Sequence, residues 1–125
     1  MVLMSNLFIV LKFSKVIFMC LHFSLPTNDE NTNESWEIKT DTMFRSHVVQ
    51  FTMNQPTVDK TLDGRHVKMT VTRQSENRWI EKQKNTADGK ETTIVRDFFS
   101  DRMMVNLTVG AVRSFSTFIR QLKKD

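Results

Sequence analysis

The sequence predicts an all-β fold, an antiparallel meander that curls into a partly open, lipocalin-like barrel. Short segments in which apolar and polar residues alternate follow one another from Pro26 onward. No window after Pro26 repeats with the period of a helix. Strands at regular spacing with tight turns between them are typical of barrels and sandwiches. Residues that favour such turns separate the segments: Asp63-Gly64, Asp88-Gly89 and Gly110.

Length and composition indicate one small globular domain. The chain has 125 residues, of which 39% are hydrophobic and 26% are charged. The net charge of +4 comes from basic residues spread along the chain, so it allows weak attraction to anionic membranes or ligands and predicts no nucleic-acid partner. Cys20 is the only cysteine, which excludes an intrachain disulfide and a zinc site built from several thiolates.

The first 25 residues differ from the rest of the chain, because they are mainly apolar and include no acidic residue. Three interpretations compete: a weak signal peptide, a membrane helix, or a foreign leader before a domain that starts near Pro26. Lys12 and Lys15 interrupt the apolar run, which makes insertion across a membrane costly, and no small-x-small cleavage site follows. The sequence therefore divides into an apolar leader, residues 1–25, and a β domain, residues 26–125.

The sequence of the β domain predicts eight regular strands. A polar stretch, residues 26–35, precedes them and could hold one irregular edge strand. Several strands mix polar and apolar residues on both faces, which favours a barrel around a wet, ligand-sized cavity over a dry sandwich. The predicted strands cover residues 36–40, 47–53, 57–61, 65–73, 78–83, 91–97, 103–109 and 112–120.

Residues 91–97 form the predicted strand with the clearest chemical consequence. Their Thr, Ile and Val residues are β-branched, and an Asp-Gly turn precedes them. Alternation places Thr92, Ile94 and Arg96 on one face. If that face lines a barrel, Arg96 is a cation inside a cavity and needs an anion or a polar network. In the opposite register, Arg96 is a solvated surface charge.

Four segments, in order and at matching spacing, resemble successive blocks of the intracellular lipid-binding proteins, and the fatty-acid-binding proteins in particular. They are residues 36–40 (WEIKT), 42–45 (TMFR), 63–68 (DGRHVK) and 91–97 (ETTIVRD). The turn at residues 75–77 and the ending at residues 108–110 are similar to the members from parasitic flatworms. The resemblance covers roughly residues 26–120.

The resemblance implies a ten-stranded clam with a helix-turn-helix cap between its first two strands. It implies noncovalent binding and cytosolic transport of long-chain fatty acids or similar hydrophobic ligands, with transient membrane contact, no cofactor and no enzymatic activity. It places the protein in the cytoplasm, unless residues 1–25 act as a signal for secretion or membrane association.

The resemblance also names candidate ligand-binding residues. In many members an Arg on the eighth strand and an Arg-x-Tyr pair on the last strand hold the ligand carboxylate, because guanidinium groups supply paired, charge-assisted hydrogen bonds. Arg96 matches the first position, which favours its inward interpretation and makes it the expected main anion contact. The pair falls on Ser116, which brings no charge, and Phe118, which has no hydroxyl. Fatty-acid binding is therefore expected to be weakened or altered.

A larger departure lies at the start of the chain. The first strand and both cap helices of the family should precede Pro26, and residues 1–25 are too few for them. We expect a truncated member with unpaired sheet edges, unless the leader substitutes as a strand or a helix. The alternative function is that of a non-binding remnant or interaction protein. Asn54 replaces a turn glycine, a mild change because Asn tolerates positive φ.

Other chemistry has little support in the sequence. The three histidines, His22, His47 and His66, lie far apart along the chain, so we expect no metal site. No Ser-His-Asp or Cys-His pattern indicates a catalytic residue, and the chain is not expected to be an enzyme.

Overall fold

The computed structural model describes residues 6–11, 16–24, 35–42, 45–61 and 63–121, which form one ten-stranded sheet. These residues contain no helix, and so no helix that could cross a membrane. The strands are β1 (Asn6–Leu11), β2 (Val16–Ser24), β3 (Ser35–Thr42), β4 (Ser46–Thr52), β5 (Thr57–Lys60), β6 (His66–Ser75), β7 (Arg78–Asn85), β8 (Glu91–Phe98), β9 (Arg102–Val109) and β10 (Val112–Gln121).

The sheet is an antiparallel meander, as the sequence predicts. Its strand order is β4-β3-β2-β1-β10-β9-β8-β7-β6-β5, so chain neighbours pair with one another except β4 and β5, and β1 also pairs with β10. Each of the eight strands predicted after Pro26 is present, as β3 to β10. Asn54 has a φ of 68°, which confirms that it takes the left-handed conformation of a turn glycine.

The leader supplies two strands of this sheet. In β1, Phe8 lies opposite Gln121 and Leu11 opposite Phe118 of β10. In β2, Leu21 lies opposite Ile38 of β3. The described residues therefore do not show the expected loss of a first strand, nor the membrane helix that was one of the three competing interpretations of the leader. The apolar segments instead pair as substitute strands, which satisfies their backbone groups and the edges of β3 and β10.

The segment between β1 and β2 is short. β1 ends at Leu11 and β2 begins at Val16, so only residues 12–15 lie between them. A helix-turn-helix needs far more residues than this, because even one stable helix spans several turns. The family's helical cap therefore has no room at its usual place between the first two strands.

The sheet remains partly open between its two end strands. Among the described residues, β4 and β5 are not hydrogen-bonded neighbours. A side-chain contact crosses the gap instead: Nε2 of His47 on β4 lies 3.0 Å from Oδ2 of Asp59 on β5. Both side chains are largely buried, with 20% and 13% of their surfaces exposed.

An aromatic cluster holds the curled sheet together. Trp79 on β7 is fully buried. Its ring meets Trp36 of β3 at 4.8 Å and Phe98 of β8 at 4.9 Å between centroids, both edge to face. β3 and β7 are six strands apart in the sheet order, which corresponds to about 29 Å in a flat sheet. Their contact is possible only because the sheet closes on itself.

Replacing Trp79 with alanine tests this cluster. The substitution removes the ring that Trp36, Phe51 and Phe98 all contact edge to face. We expect Trp79→Ala to lower the free energy of unfolding by about 3–5 kcal/mol in urea denaturation. Phe115, whose surface is 70% exposed, is the control. Phe115→Ala should change stability by less than about 0.5 kcal/mol, and equal losses in both variants would contradict the account.

A proline in β1 tests whether the leader belongs to the barrel. Ile9 lies opposite Arg120 on one side and Met19 on the other, so β1 is an interior strand. Proline there removes a ladder hydrogen bond and is tolerated only at sheet edges. We expect Ile9→Pro to lower the free energy of unfolding by about 3 kcal/mol or more. Ile9→Val, which keeps β-branching, should cost about 1 kcal/mol. An unchanged stability of Ile9→Pro would mean that the leader is separate from the barrel.

Candidate functional site

The inner face of β8 carries the site. Thr92, Ile94, Arg96 and Phe98 are buried and alternate with more exposed residues. Arg96 retains only 6% of its surface exposed. This decides between the two registers that the sequence leaves open, because Arg96 points into the barrel rather than to solvent.

Arg96 is already paired with a carboxylate of the protein. Its Nη1 donates a hydrogen bond of 2.6 Å to Oε1 of Glu81 on β7. The two side chains are 8% and 3% exposed, so this is a buried ion pair. Nε2 of Gln83 donates a second bond of 2.6 Å to the other carboxylate oxygen, Oε2 of Glu81. The anion that an inward Arg96 needs is therefore supplied by the protein itself, within a polar network of Arg96, Glu81 and Gln83.

Sequence reasoning missed Glu81, although a signal for it was present. Trp79, Glu81 and Gln83 share one face of β7 by alternation. Since Trp79 is an obvious core residue, the same face places Glu81 inside the barrel. In the pairing of β7 with β8, Trp79 lies opposite Arg96 and Glu81 lies opposite Ile94. Glu81 is therefore the diagonal neighbour of Arg96 on the inward face.

One donor of Arg96 has no acceptor. Its Nε–H is buried and has no hydrogen-bond partner among the described residues. A buried donor without an acceptor typically costs about 1–3 kcal/mol. Arg96 also lines a cavity inside the barrel. The site thus presents a hydrogen-bond donor whose positive charge is balanced by Glu81.

The cavity in front of β8 and β9 measures about 440 Å³, within the range of small-molecule sites. Most of its exposed wall surface is apolar, although ten of the seventeen residues that line it are polar or charged. The apolar residues that line it are Ile38, Val49, Met69, Ile94, Val105, Leu107 and Val109.

Two further contacts between a basic side chain and a carboxylate lie on the cavity wall. One is the contact between His47 and Asp59. In the other, Nε of Arg65 donates to Oδ2 of Asp63 at 2.8 Å. The Thr61 hydroxyl also donates to Asp63, and this bond, together with Arg65, lowers the pKa of the Asp63 carboxyl. Each basic side chain that lines the described cavity therefore contacts a carboxylate.

The other two predicted site residues lie on β10. Ser116 is half-buried and opposite Val105, which in turn lies opposite Arg96, so the three form one inward row. Ser116 is thus two strands, or about 10 Å, from Arg96. Phe118 is 4% exposed and belongs to the apolar core cluster. Neither residue is among the described residues that line the cavity, and their contact with a ligand remains a prediction.

The described part of the chain does not meet the requirements of a metal site. No group of three or more His, Cys, Asp or Glu side chains there could hold a metal ion.

Comparison with known proteins identifies fatty acid-binding proteins among the relatives of this chain. No family model matches the chain. A fatty acid-binding protein of Clonorchis sinensis is 32% identical over 94 residues, covering 75% of this chain and 69% of that protein. A fatty acid-binding protein of Tyrophagus putrescentiae is 30% identical over 88 residues, or 70% of this chain, and the chain spans only 65% of its length.

A solved structure agrees with these matches. The Schistosoma mansoni fatty acid binding protein, in complex with arachidonic acid, superimposes with a TM-score of 0.69 and 25% identity. The match covers 86% of this chain and 73% of that protein. As the sequence blocks predict, this chain belongs to the fatty-acid-binding protein family.

Proposed function

We propose that the protein binds long-chain fatty acids or similar hydrophobic ligands noncovalently in the β-barrel cavity and carries them through the cytoplasm. The observation that carries this proposal is the apolar cavity of about 440 Å³ with the buried polar group Arg96 on its wall. Relatives named as fatty acid-binding proteins and a neighbour solved with arachidonic acid support it.

The chemistry of the wall fits a ligand with one polar end. Each methylene moved from water into the apolar part of the cavity contributes about 0.8 kcal/mol. The polar end would lie near Arg96, with Gln83 and Thr92 on the same wall. We propose binding rather than catalysis, because such a wall offers burial and hydrogen bonds to a ligand and no activated nucleophile.

We assign different parts of the ligand to the three predicted residues. Arg96 would contact the polar end, because it reaches the cavity wall. Ser116 would supply a hydroxyl from the same inward row, directly or through water. Phe118, within the apolar core cluster, would form the apolar floor below them.

Loading of the ligand is proposed to involve transient contact with a membrane. The gap between β4 and β5, which only side chains such as His47 and Asp59 bridge in the described structure, is the proposed entrance. The alternative of a non-binding remnant has less support, since β1 and β2 pair with the edges that would otherwise recruit another chain.

Filling the cavity should block binding. Leu107 lines the cavity from β9 and is half-buried, so a larger side chain there can be accommodated while occupying ligand space. We expect the full chain to bind an uncharged apolar fluorescent probe, and Leu107→Trp to weaken that binding by about tenfold or more.

The control for this measurement is Val112→Trp, at a position that is 68% exposed. It should leave probe affinity unchanged. Absence of probe binding to the unmodified chain, or equal affinity in Leu107→Trp, would contradict binding in this cavity.

A further inference from the structure

We infer that the cavity selects a lipid whose polar end is uncharged and accepts a hydrogen bond, such as a fatty alcohol or a fatty ester, over the ionised fatty acid of the same chain length. This inference rests on the proposed function, since it assumes that the cavity holds a lipid chain. It concerns the head group that Arg96 and Glu81 would meet.

The first argument is the charge at the site. Arg96 and Glu81 form a buried pair at 2.6 Å, so their charges already compensate each other. A carboxylate that approached Arg96 would also approach Glu81, which repels it. The site would then hold two anions and one cation away from water, and an uncompensated buried charge is strongly unfavourable. A neutral head group adds no such charge.

The second argument is that the described residues of the cavity wall offer no compensating cation. Gln83, on the same strand, is neutral and donates to Glu81. Arg65 is paired with Asp63, and His47 with Asp59. Arg73 on β6 lies over the Trp79 ring at 5.9 Å, in the aromatic cluster.

The described cavity wall thus carries three carboxylates, from Asp59, Asp63 and Glu81, and two arginines, Arg65 and Arg96, with His47 as its remaining basic group. This balance does not favour an incoming anion.

The third argument concerns hydrogen bonding. The Nε–H of Arg96 is buried and lacks an acceptor in the described structure. A hydroxyl or carbonyl oxygen could accept this bond without bringing charge, once the guanidinium rotates to turn the buried Nε–H toward the cavity. Arg96 therefore has a donor without an acceptor, while Glu81 balances its positive charge. A neutral oxygen at the end of an apolar chain can accept the hydrogen bond and adds no charge.

The direct test compares oleic acid, oleyl alcohol and methyl oleate on the full chain. Each competes with an uncharged apolar fluorescent probe at pH 8, where the free acid is ionised. We expect the alcohol and the ester to bind at least about tenfold more tightly than the acid. An acid that binds as tightly as the alcohol, or more tightly, would overturn the inference. If none of the three displaces the probe, the proposed function fails instead.

Glu81→Gln removes the negative charge beside Arg96 and nearly preserves the size of the side chain. The variant leaves Arg96 without its anionic partner, so a ligand carboxylate can take that place. We expect oleic acid to bind about tenfold or more tightly than in the unmodified chain, and oleyl alcohol to change by less than about threefold. Glu91→Gln, at an exposed outer position on β8, makes the same change in net charge and should alter neither affinity. Equal shifts in Glu81→Gln and Glu91→Gln would contradict the inference.

A double variant protects the test against loss of folding, because an unpaired Arg96 destabilises the barrel. Glu81→Gln combined with Arg96→Gln removes both charges and keeps polar groups. It should still prefer the alcohol, and its affinity for oleic acid should not fall below that of the unmodified chain. A tenfold loss of acid binding in the double variant would show that Arg96 anchors the acid, and would overturn the inference.

Discussion

The buried ion pair between Glu81 and Arg96 is the interaction on which the site depends. Two opposite charges with 3% and 8% of their surfaces exposed can persist only if they stay together. Their contact at 2.6 Å requires β7 and β8 to pair in one register and both strands to turn that face inward. The charge of the cavity wall therefore depends on the register in which β7 and β8 pair.

The aromatic cluster and the cavity share the same inward face and are separated along the strands. Phe98, Met103 and Phe118 lie opposite one another across β8, β9 and β10, and all three are buried in the core cluster. The next inward row contains Arg96 and Val105, and beyond it the wall opens into the cavity. The core cluster thus fills one region of the barrel interior. The neighbouring region contains the cavity and its polar groups.

Local patterns in the sequence were enough for strands β3 to β10, because alternation and turn residues act over short distances. They left the direction of Arg96 open, and only the family resemblance favoured the inward one. The docking of β1 and β2 could not be predicted in the same way, since an apolar run is compatible with a strand or a helix until its partners are known. The inward direction of Glu81 could have been predicted from the alternation of residues along β7. The contact of His47 with Asp59 could not have been predicted, because β4 and β5 are not hydrogen-bonded neighbours.

The most direct test of this account is a double-mutant cycle on Glu81 and Arg96, measured by urea unfolding of Glu81→Gln, Arg96→Gln and the double variant. If the pair is buried and coupled, each single variant leaves one charge without its partner and loses about 3 kcal/mol or more. The double variant should lose much less than the sum, with a coupling energy of about 2–3 kcal/mol. Additive losses, with a coupling energy near zero, would contradict the ion pair and the neutral cavity built on it.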